Sequence, residues 1–346
     1  MFPKLRLGTF NLYNLVSPGV PYYASDPYST AEYAAKTAWI GNQLDHMAAD
    51  IAGFQELFHR QALVDALAQS ERFRDVEPVV LATNEEENPA MTPAVALASR
   101  YPVVTAESIS TFPEEAIIHL EDPALVEAGA MIIVPINSFS RPVLKARVAL
   151  SEEMEIVFFV AHLKSKRPTY YEGETSNNPL QRTLGSARSL VRRAAEAAAL
   201  RALILEEVAG TDIPVEARTP VVVLGDVNDA TLAVTTQMIA GEKPYYRWGR
   251  ERKEAYWDTL LYSAQEIQNR ASTRDTYFTY IYNGFYEALD QVLVSEELYR
   301  ANPDRVGEVY YVQIFNDHIL DATQTFEPVP RTKSDHGQVV AWLRAR

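Results

Sequence analysis

The first apolar residues of the chain fall at every second position. Leu5, Leu7 and Thr9 alternate with other residues, which predicts a β-strand because successive side chains of a strand point to opposite faces. Asn11 falls on the same face near the predicted end of this strand. The N-terminus therefore places a polar amide at the end of an apolar strand face.

Helical spacing follows this strand. Ser29 and Glu32 have the spacing of a capping box, in which each side chain binds the backbone N–H of the other residue. Apolar residues then recur on one face of a predicted helix, namely Tyr33, Ile40, Leu44 and Met47. The next apolar run, 51–55, predicts a buried strand.

Further apolar runs predict more strands, several of them apolar on both faces. These runs are 95–98, 131–136, 143–150, 156–161, 221–224 and 289–294. Strands without a polar face belong to sheets covered on both sides, and a helical stretch at 185–208 offers one covering layer. Gly and Pro mark loops around 17–28, 84–93, 113–123, 166–180 and 210–220. The pattern predicts a layered α/β sandwich.

Composition narrows the class of protein. The chain has 346 residues, of which 47% are hydrophobic and 23% charged, the profile of a globular protein. We find no internal repeat or low-complexity linker, so we expect a single domain over 1–346. The absence of cysteine excludes disulfides and thiolate metal sites. A formal charge of −14 opposes tight duplex binding unless a local basic surface or bound cations reverse the sign.

No targeting or membrane segment is recognisable in the sequence. The N-terminus runs directly into the first strand without the apolar stretch of a signal peptide. No apolar run is long enough to span a bilayer, so we expect no membrane span. Cytoplasmic is the default expectation, with a secreted or periplasmic location if a leader had been removed. The sequence predicts no protein partner.

Polar residues of types that act in catalysis or bind metal ions lie at the ends of the strand-like runs, where α/β proteins place their functional sites. They are Asn11, Glu56, His162, Asp226 with Asn228, Asp290, and Asp335 with His336. Carboxylate and amide oxygens suit Mg²⁺, with Mn²⁺ as a second option, better than Zn²⁺. Neither H-E-x-x-H nor a P-loop sequence is present.

These segments, in this order from Asn11 to His336, resemble those of the endonuclease/exonuclease/phosphatase (deoxyribonuclease I-like) superfamily. The resemblance implies an α/β fold, a four-layer sandwich with two central mixed β-sheets flanked by helices. It also implies an active site at the rim where strands of both sheets end.

The resemblance assigns roles around a metal ion. Glu56 would be the main ligand, with Asn11 and Asp335 as direct or water-mediated partners. Asp226 would orient or deprotonate the attacking water, and Asn228 would donate a hydrogen bond to the phosphate.

Two histidines complete the implied chemistry. Asp290 would hold His336 in the right tautomer. His162 would donate a proton to the leaving oxygen or bind the phosphate, and Arg141 would also contact the phosphate. Because imidazole titrates near neutrality, we expect activity to respond to pH between about 5 and 8. Members specialised for abasic sites carry a tyrosine-containing segment where this chain has His162, which disfavours that substrate.

Several other charged or titratable residues have a purely structural interpretation beside the functional one. The basic stretch 164–201 follows His162 and is a candidate phosphate-guiding rim, but Arg192 and Glu196, four residues apart, look like a solvated helix face. Asp229 fits turn stabilisation better than an outer metal shell. The remaining histidines are expected to be surface or core residues, and they are His46, His59, His119 and His318.

Aromatic and basic residues interleave at 245–252, as in stacking platforms for single-stranded bases. A partly buried loop over the sandwich is the competing interpretation, since Tyr and Trp are usually intermediate in burial.

The sequence thus predicts a Mg²⁺-dependent phosphodiester hydrolase, with a nuclease acting on DNA or RNA as the leading interpretation. A phosphomonoesterase or a phospholipid-headgroup phosphodiesterase of the same fold remains open, because fold does not fix substrate. The lipid version would need an exposed aromatic or aliphatic hairpin, and none is evident from the sequence. A catalytically inactive binding scaffold is the non-enzymatic alternative.

Overall fold

Strands and helices alternate along the chain. The computed structural model describes residues 4–23, 25–81, 92–121, 131–208 and 218–346. The strands are β1 (Leu5–Leu15), β2 (Ile51–Leu57), β3 (Ala94–Ser99), β4 (Val103–Thr111), β5 (His119–Glu121), β6 (Met131–Ile133), β7 (Ser138–Ser151), β8 (Met154–His162), β9 (Val221–Asp226), β10 (Leu261–Ser263), β11 (Tyr280–Tyr282), β12 (Phe285–Glu287), β13 (Asp290–Ser295), β14 (Gly307–Phe315) and β15 (Gln338–Ala345). The helices are α1 (Thr30–Met47), α2 (Arg60–Leu67), α3 (Pro179–Val208), α4 (Val234–Ala240), α5 (Arg250–Trp257) and α6 (Ala264–Ala271), with 3₁₀ turns at Glu114–Ala116 and Glu296–Leu298.

Two mixed sheets form the centre of the molecule. One has five strands in the order β14-β15-β1-β2-β3, and the other has six in the order β10-β13-β9-β8-β7-β4. The β1/β2 pair and the β8/β9 pair are parallel, and the other neighbours are antiparallel. Two small hairpins, β5-β6 and β11-β12, lie outside these sheets.

The sheets face each other across an apolar core. Leu7 and Leu97 of the five-stranded sheet belong to the same buried cluster as Val160 and Leu224 of the six-stranded sheet. Gly53 lies where they approach closely, since a Cβ there would come within 3.0 Å of Leu224 Cβ. The core between the sheets therefore depends on small as well as large residues.

Helices cover the outer face of each sheet. Phe10 and Phe54 pack with residues of α1 and α2, and Phe159 and Val223 pack with residues of α3. The order helix, sheet, sheet, helix is the predicted four-layer α/β sandwich, so the predicted fold class is confirmed. None of the described helices combines the length and the apolar character that a membrane-spanning segment requires.

Most predicted elements are present, with shifted ends. The Ser29/Glu32 capping box opens α1 as expected. The run 131–136 is a strand only over Met131–Ile133, and most of the loops expected at 84–93 and 210–220 lies outside the described residues. The strands that were not predicted from the sequence are β4, β5, β10, β11, β12, β14 and β15. β4 is an exposed edge strand without an apolar face, and the Ala, Leu and Arg residues of β15 also suit a helix, which makes a short apolar run ambiguous.

Gly225 provides a test of the close packing between β8 and β9. It pairs with Ala161 on β8, and a Cβ at Gly225 would overlap Ala161 O. We expect Gly225→Ala to lower the free energy of unfolding by about 1–3 kcal/mol, since overpacking forces the strands apart. Denaturant unfolding followed by circular dichroism measures the change.

Gly249→Ala is the matched control. No atom of the described residues lies within 4 Å of a Cβ at Gly249, and its φ is −64°. This variant should stay within about 0.5 kcal/mol of the wild type. Equal destabilisation by both substitutions would contradict the packing argument.

Candidate active site

Strand ends from both sheets meet at one edge of the sandwich. In the six-stranded sheet, His162 at the end of β8 pairs with Asp226 at the end of β9, and Asp226 pairs with Asp290 at the start of β13. In the five-stranded sheet, Asn11 lies towards the end of β1 and Glu56 towards the end of β2. The topology therefore brings together side chains that are hundreds of residues apart in sequence.

A cavity of about 820 Å³ opens at this edge. Its lining residues are Tyr13, Asn14, Tyr22, Tyr23, Ser25, Glu56, Arg141, His162, Ser165, Lys166, Arg167, Asp226, Asn228, Tyr280, Tyr282, Glu287, Leu289, Asp335 and His336. Seven of the nine predicted site residues are in this lining. The other two, Asn11 and Asp290, each hydrogen-bond to a residue that is.

The carboxylate of Asp226 is the hub of the site. Its Oδ2 accepts a hydrogen bond from Asn11 Nδ2 at 3.1 Å. The same oxygen lies 3.5 Å from His162 Nε2 and 3.8 Å from His336 Nε2. Its Oδ1 accepts from the backbone N–H of Asn228 at 2.9 Å. One carboxylate thus contacts both imidazoles and joins the two sheets.

His336 and Asp290 form a buried pair. His336 Nδ1 lies 2.8 Å from Asp290 Oδ2, and the ring of Tyr280 packs 4.6 Å from the imidazole. Burial alone would lower the pKa of His336, but the carboxylates of Asp290 and Asp226 outweigh it and raise this pKa well above its usual value. The arrangement favours the protonated imidazole and fixes its orientation.

His162 is in the opposite electrostatic situation. It is 2% exposed, and burial lowers its pKa well below the usual value, with Arg141, His336 and Lys164 adding to the effect. Among the described residues, its Nδ1 has no hydrogen-bond partner. The site therefore contains one imidazole that favours the charged form and one that favours the neutral form.

Five residues that line the cavity adopt left-handed backbone conformations. They are Tyr13 (φ 50°), Asn14 (φ 58°), Tyr23 (φ 51°), Glu56 (φ 60°) and Asn228 (φ 55°). The pairing register also shifts after Asn11 on β1 and after Phe54 on β2, as at β-bulges. Such conformations cost free energy and concentrate at functional sites, where they aim side chains.

Negative charge accumulates on one side of the cavity. Burial raises the pKa of Asp226 to about 7 against the opposing charge of His336, and burial with the nearby Glu56 raises the pKa of Asp335 to about 6. The carboxylates thus repel one another in a poorly solvated place. Hard oxygen donors with excess negative charge fit a divalent cation of the Mg²⁺ type.

Lys36 supports this side of the cavity from below. It is fully buried on α1, and its Nζ donates hydrogen bonds to the carbonyl oxygens of Tyr13 and Arg331, both at 2.9 Å. Burial lowers its pKa to about 7, although Asp335 and Glu56 favour the charged form. Lys36 was missed by the sequence analysis, because nothing in the local pattern of α1 shows that its stripe includes a buried cation.

The profile of the Endonuclease/Exonuclease/phosphatase family matches residues 8–336. The chain belongs to this family. Family members are metal-dependent phosphoric ester hydrolases, and the protein is an enzyme of this kind. The family resemblance predicted from the sequence is therefore confirmed.

Solved structures of the family share the fold at low sequence identity. The human Nocturnin catalytic domain with bound sulfate anion is 14% identical with a TM-score of 0.55, covering 99% of this chain and 94% of that chain. Humanized D. rerio TDP2 is 14% identical with a TM-score of 0.54, covering 99% of both. The endonuclease/exonuclease/phosphatase from Bacteroides vulgatus is 15% identical with a TM-score of 0.53, covering both chains completely at 100%. No curated protein sequence matches the chain significantly.

The basic stretch after His162 contributes to the site of this family member in an unexpected way. The interpretation of Arg192 and Glu196 as a solvated pair is wrong, because Glu196 is 1% exposed. Its carboxylate accepts hydrogen bonds from the backbone N–H groups of Ser140 and Lys164, and Arg192 instead bonds to a carbonyl. Glu196 therefore braces the two segments that carry Arg141 and His162.

Asp229, the residue after Asn228, is buried and has a structural role. Its carboxylate accepts from Thr235 Oγ1 at 2.6 Å and from Arg193 Nε at 3.3 Å. The side chain is not in the cavity lining. The remaining histidines are also outside it, namely His46, His59, His119 and His318.

The aromatic and basic segment 245–252 lies away from the cavity. Tyr245 and Tyr246 are exposed, but Arg247 lies over the ring of Tyr246 and Arg252 over that of Trp248. The segment leads through α5 to β10. β10 pairs with the C-terminal end of β13, whereas Asp290 lies at the N-terminal end of that strand. No residue of the segment is in the cavity lining.

An exposed aromatic hairpin does border the cavity, although none was evident from the sequence. Tyr280 and Tyr282 of β11 line the cavity, and Phe285 of β12 is 70% exposed. Asn283 (φ 49°) and Gly284 (φ 80°) form the tight turn between them. The N-G dipeptide was the signal that would have revealed this hairpin.

The contrast between the two imidazoles can be tested directly in metal-free protein. We expect His336 to remain protonated at pH 7 and His162 to remain neutral, as their opposite pKa shifts imply. Because the pKa of His336 is raised on folding, its stabilising contribution is complete below about pH 6.5 and disappears as the pH rises through the folded value. Imidazole NMR titration, with assignment by single His→Gln variants, measures both.

The Asp290→Asn variant is the internal check of this prediction. Removing the carboxylate charge should bring the pKa of His336 down and leave that of His162 low. Two imidazoles that both titrate near their ordinary value in the wild type would contradict the geometry.

Proposed function

We propose that the protein is a Mg²⁺-dependent phosphodiester hydrolase acting on nucleic acid. The observation that supports this proposal most strongly is the single cavity in which carboxylates, a buried His336–Asp290 pair and basic side chains converge. Mg²⁺ is the expected ion and Mn²⁺ a substitute, on the chemistry of the oxygen donors. The same convergence argues against an inactive scaffold, because no predicted catalytic position is missing.

Glu56 and Asp335 are the proposed carboxylates for the ion. Glu56 Oε2 accepts from the backbone N–H of Asn14, which leaves Oε1 directed towards His162 at 4.0 Å. Asn11 Oδ1 accepts from the backbone N–H of Tyr13, so only its second lone pair is available to a ligand. When bound, a divalent ion would neutralise the phosphate oxygens and favour formation of hydroxide from water.

Asp226, Asp290 and His336 also place ligand atoms within 4.8 Å of one another. We assign them to proton transfer instead, because Nδ1 of His336 is engaged with Asp290. Asp226 would hold or deprotonate the attacking water, with Asn11 and the backbone of Asn228 fixing its two oxygens. General base catalysis by a positioned group of this kind contributes roughly 10²–10⁴ in rate.

The other side of the cavity would bind the phosphate and the leaving oxygen. Asn228 Nδ2 and Arg141 Nη1 both donate to the carbonyl oxygen of Leu163, which holds them beside His162. Each retains further N–H groups for phosphate oxygens. Its position beside Asp226 lets His162 bind the phosphate. To protonate the leaving oxygen, the neutral imidazole would first take up the proton that Asp226 removes from the attacking water.

A phosphomonoesterase or a phospholipid-headgroup phosphodiesterase would use the same site. The decisive comparison is Mg²⁺-dependent cleavage of bis-p-nitrophenyl phosphate against p-nitrophenyl phosphate, with EDTA as the blank. We expect the diester to be preferred. An equal or reversed preference would reject the diesterase assignment.

Asp290→Asn tests the proposed role of the His336 pair. The substitution retains the shape of the side chain but removes the negative charge that orients the imidazole of His336 and keeps it protonated. We therefore expect kcat for the diester to fall by about 10²–10⁴. Circular dichroism should show an unchanged fold. Asp304→Asn is the matched control on an exposed aspartate, and an equal loss in both variants would remove the special role of Asp290.

Glu56→Gln tests the proposed metal site. The variant loses one carboxylate charge, so half-maximal activity should require a Mg²⁺ concentration about tenfold or more higher. A Mg²⁺ titration of activity, with calorimetric binding of Mn²⁺ as a second measurement, gives the shift. Glu172→Gln, on an exposed residue, should leave the titration unchanged. Unaltered Mg²⁺ dependence in Glu56→Gln would place the ion elsewhere.

A further inference from the structure

Three aromatic side chains form a row on the cavity side of the β11–β12 hairpin. The register pairs Tyr280 with Glu287 and Tyr282 with Phe285. Directly paired residues, and residues two apart on a strand, share one face of a hairpin. Since Tyr280 and Tyr282 line the cavity, Phe285 faces the same side.

The row leads outward from the catalytic centre. The ring of Tyr280 packs against His336 at 4.6 Å. Tyr282 is 41% exposed, and Phe285, which lies beside it next to the turn, is 70% exposed. A row of rings that starts beside His336 and becomes more exposed to solvent is suited to binding the part of a substrate that extends beyond the cleaved bond.

The base of the hairpin is fixed to the catalytic pair. Thr279 Oγ1 accepts from the backbone N–H groups of Leu289 and Asp290, and Thr279 O accepts from the N–H of Gly337. Glu287 accepts a hydrogen bond from Lys166 at 2.6 Å. The ring row is therefore held in a defined position relative to Asp290 and His336.

The spacing of the row selects the class of ligand. Tyr280 and Tyr282, two apart on one strand, are separated by about 7 Å, and the directly paired Tyr282 and Phe285 by about 5 Å. Successive bases of a duplex strand rise by only about 3.4 Å. Both ring spacings are wider, so the rings fit bases that are unstacked from one another, and every base has a face that stacks on an aromatic ring. We propose that Tyr280, Tyr282 and Phe285 bind unpaired bases of a single-stranded nucleic acid next to the cleaved phosphate. This inference rests on the proposed phosphodiesterase function.

The positive charges around the cavity agree with the binding of a single strand. Arg141, Lys166 and Arg167 line the same cavity as Tyr280 and Tyr282. Phosphates would lie against the cations and bases against the hairpin. Both features are local, which reconciles nucleic-acid binding with a net charge of −14.

A lipid surface is the less favoured ligand of the hairpin. The ring row faces the cavity, and the outermost residues of the turn are Asn283 and Gly284. On the other face, Tyr286 donates its hydroxyl hydrogen bond to Asp321. An acidic neighbour and a polar tip are unsuited to insertion into a bilayer.

The test combines ring variants with a substrate that lacks bases. The double variant Tyr282→Leu/Phe285→Leu keeps apolar volume at two exposed positions and removes both rings. The substrates are a fluorescently labelled single-stranded oligonucleotide, the same strand with abasic residues around the cleavage site, and its duplex. Tyr245→Leu, on an exposed tyrosine remote from the cavity, is the matched control.

We expect the wild type to prefer the single strand to the duplex. The double variant should raise KM for the base-containing strand by about tenfold or more, with a much smaller change on the abasic strand. Tyr245→Leu should change neither. A ring-dependent effect that requires the base is not produced by a general loss of structure.

Several outcomes would overturn the inference. They are equal KM changes on the two single strands, no change on either, a preference for duplex, or loss of binding to phosphatidylcholine vesicles in the double variant without a base-dependent effect. Cleavage of bis-p-nitrophenyl phosphate by the wild type reports on the proposed function separately. If it fails, the phosphodiesterase proposal fails; if it succeeds while the oligonucleotides are not cleaved or the rings have no effect, only the present inference fails.

Discussion

The carboxylate of Asp226 is the interaction on which the site depends. It ends a strand of the six-stranded sheet, yet its Oδ2 accepts a hydrogen bond from Asn11 of the five-stranded sheet. The same oxygen faces both imidazoles, one on β8 and the other just before β15. The relative position of the two sheets is thereby coupled to the geometry of the proposed catalytic groups.

The price of this arrangement is local strain and unbalanced charge. Glu56 and Asn228 adopt left-handed backbone conformations that most residues avoid. Asp226 and Asp335 are buried close to other carboxylates, which raises the pKa of each. A folded core of two sheets and four layers stabilises this unfavourable edge, and a bound cation would relieve the repulsion.

The sequence predicted the fold class and the set of polar strand ends because both follow from short-range patterns. Apolar runs identified most central strands, and the order of the motifs identified the family. Lys36, Glu196 and the tyrosines of the cavity were not predictable in the same way. Their importance arises from contacts between distant segments, such as the bond from Lys36 to the carbonyl of Arg331, which leave no periodic signal.

In the proposed site, the strand ends of both sheets surround one divalent ion and one phosphate. Crystals grown with Mn²⁺ and a non-hydrolysable phosphodiester analogue would locate the ion through the anomalous signal of the metal. We expect a single strong anomalous peak in the cavity beside Glu56 and Asp335, with the phosphate between it and His162. A peak outside this cavity, or a phosphate bound away from Asp226, would rule out this arrangement.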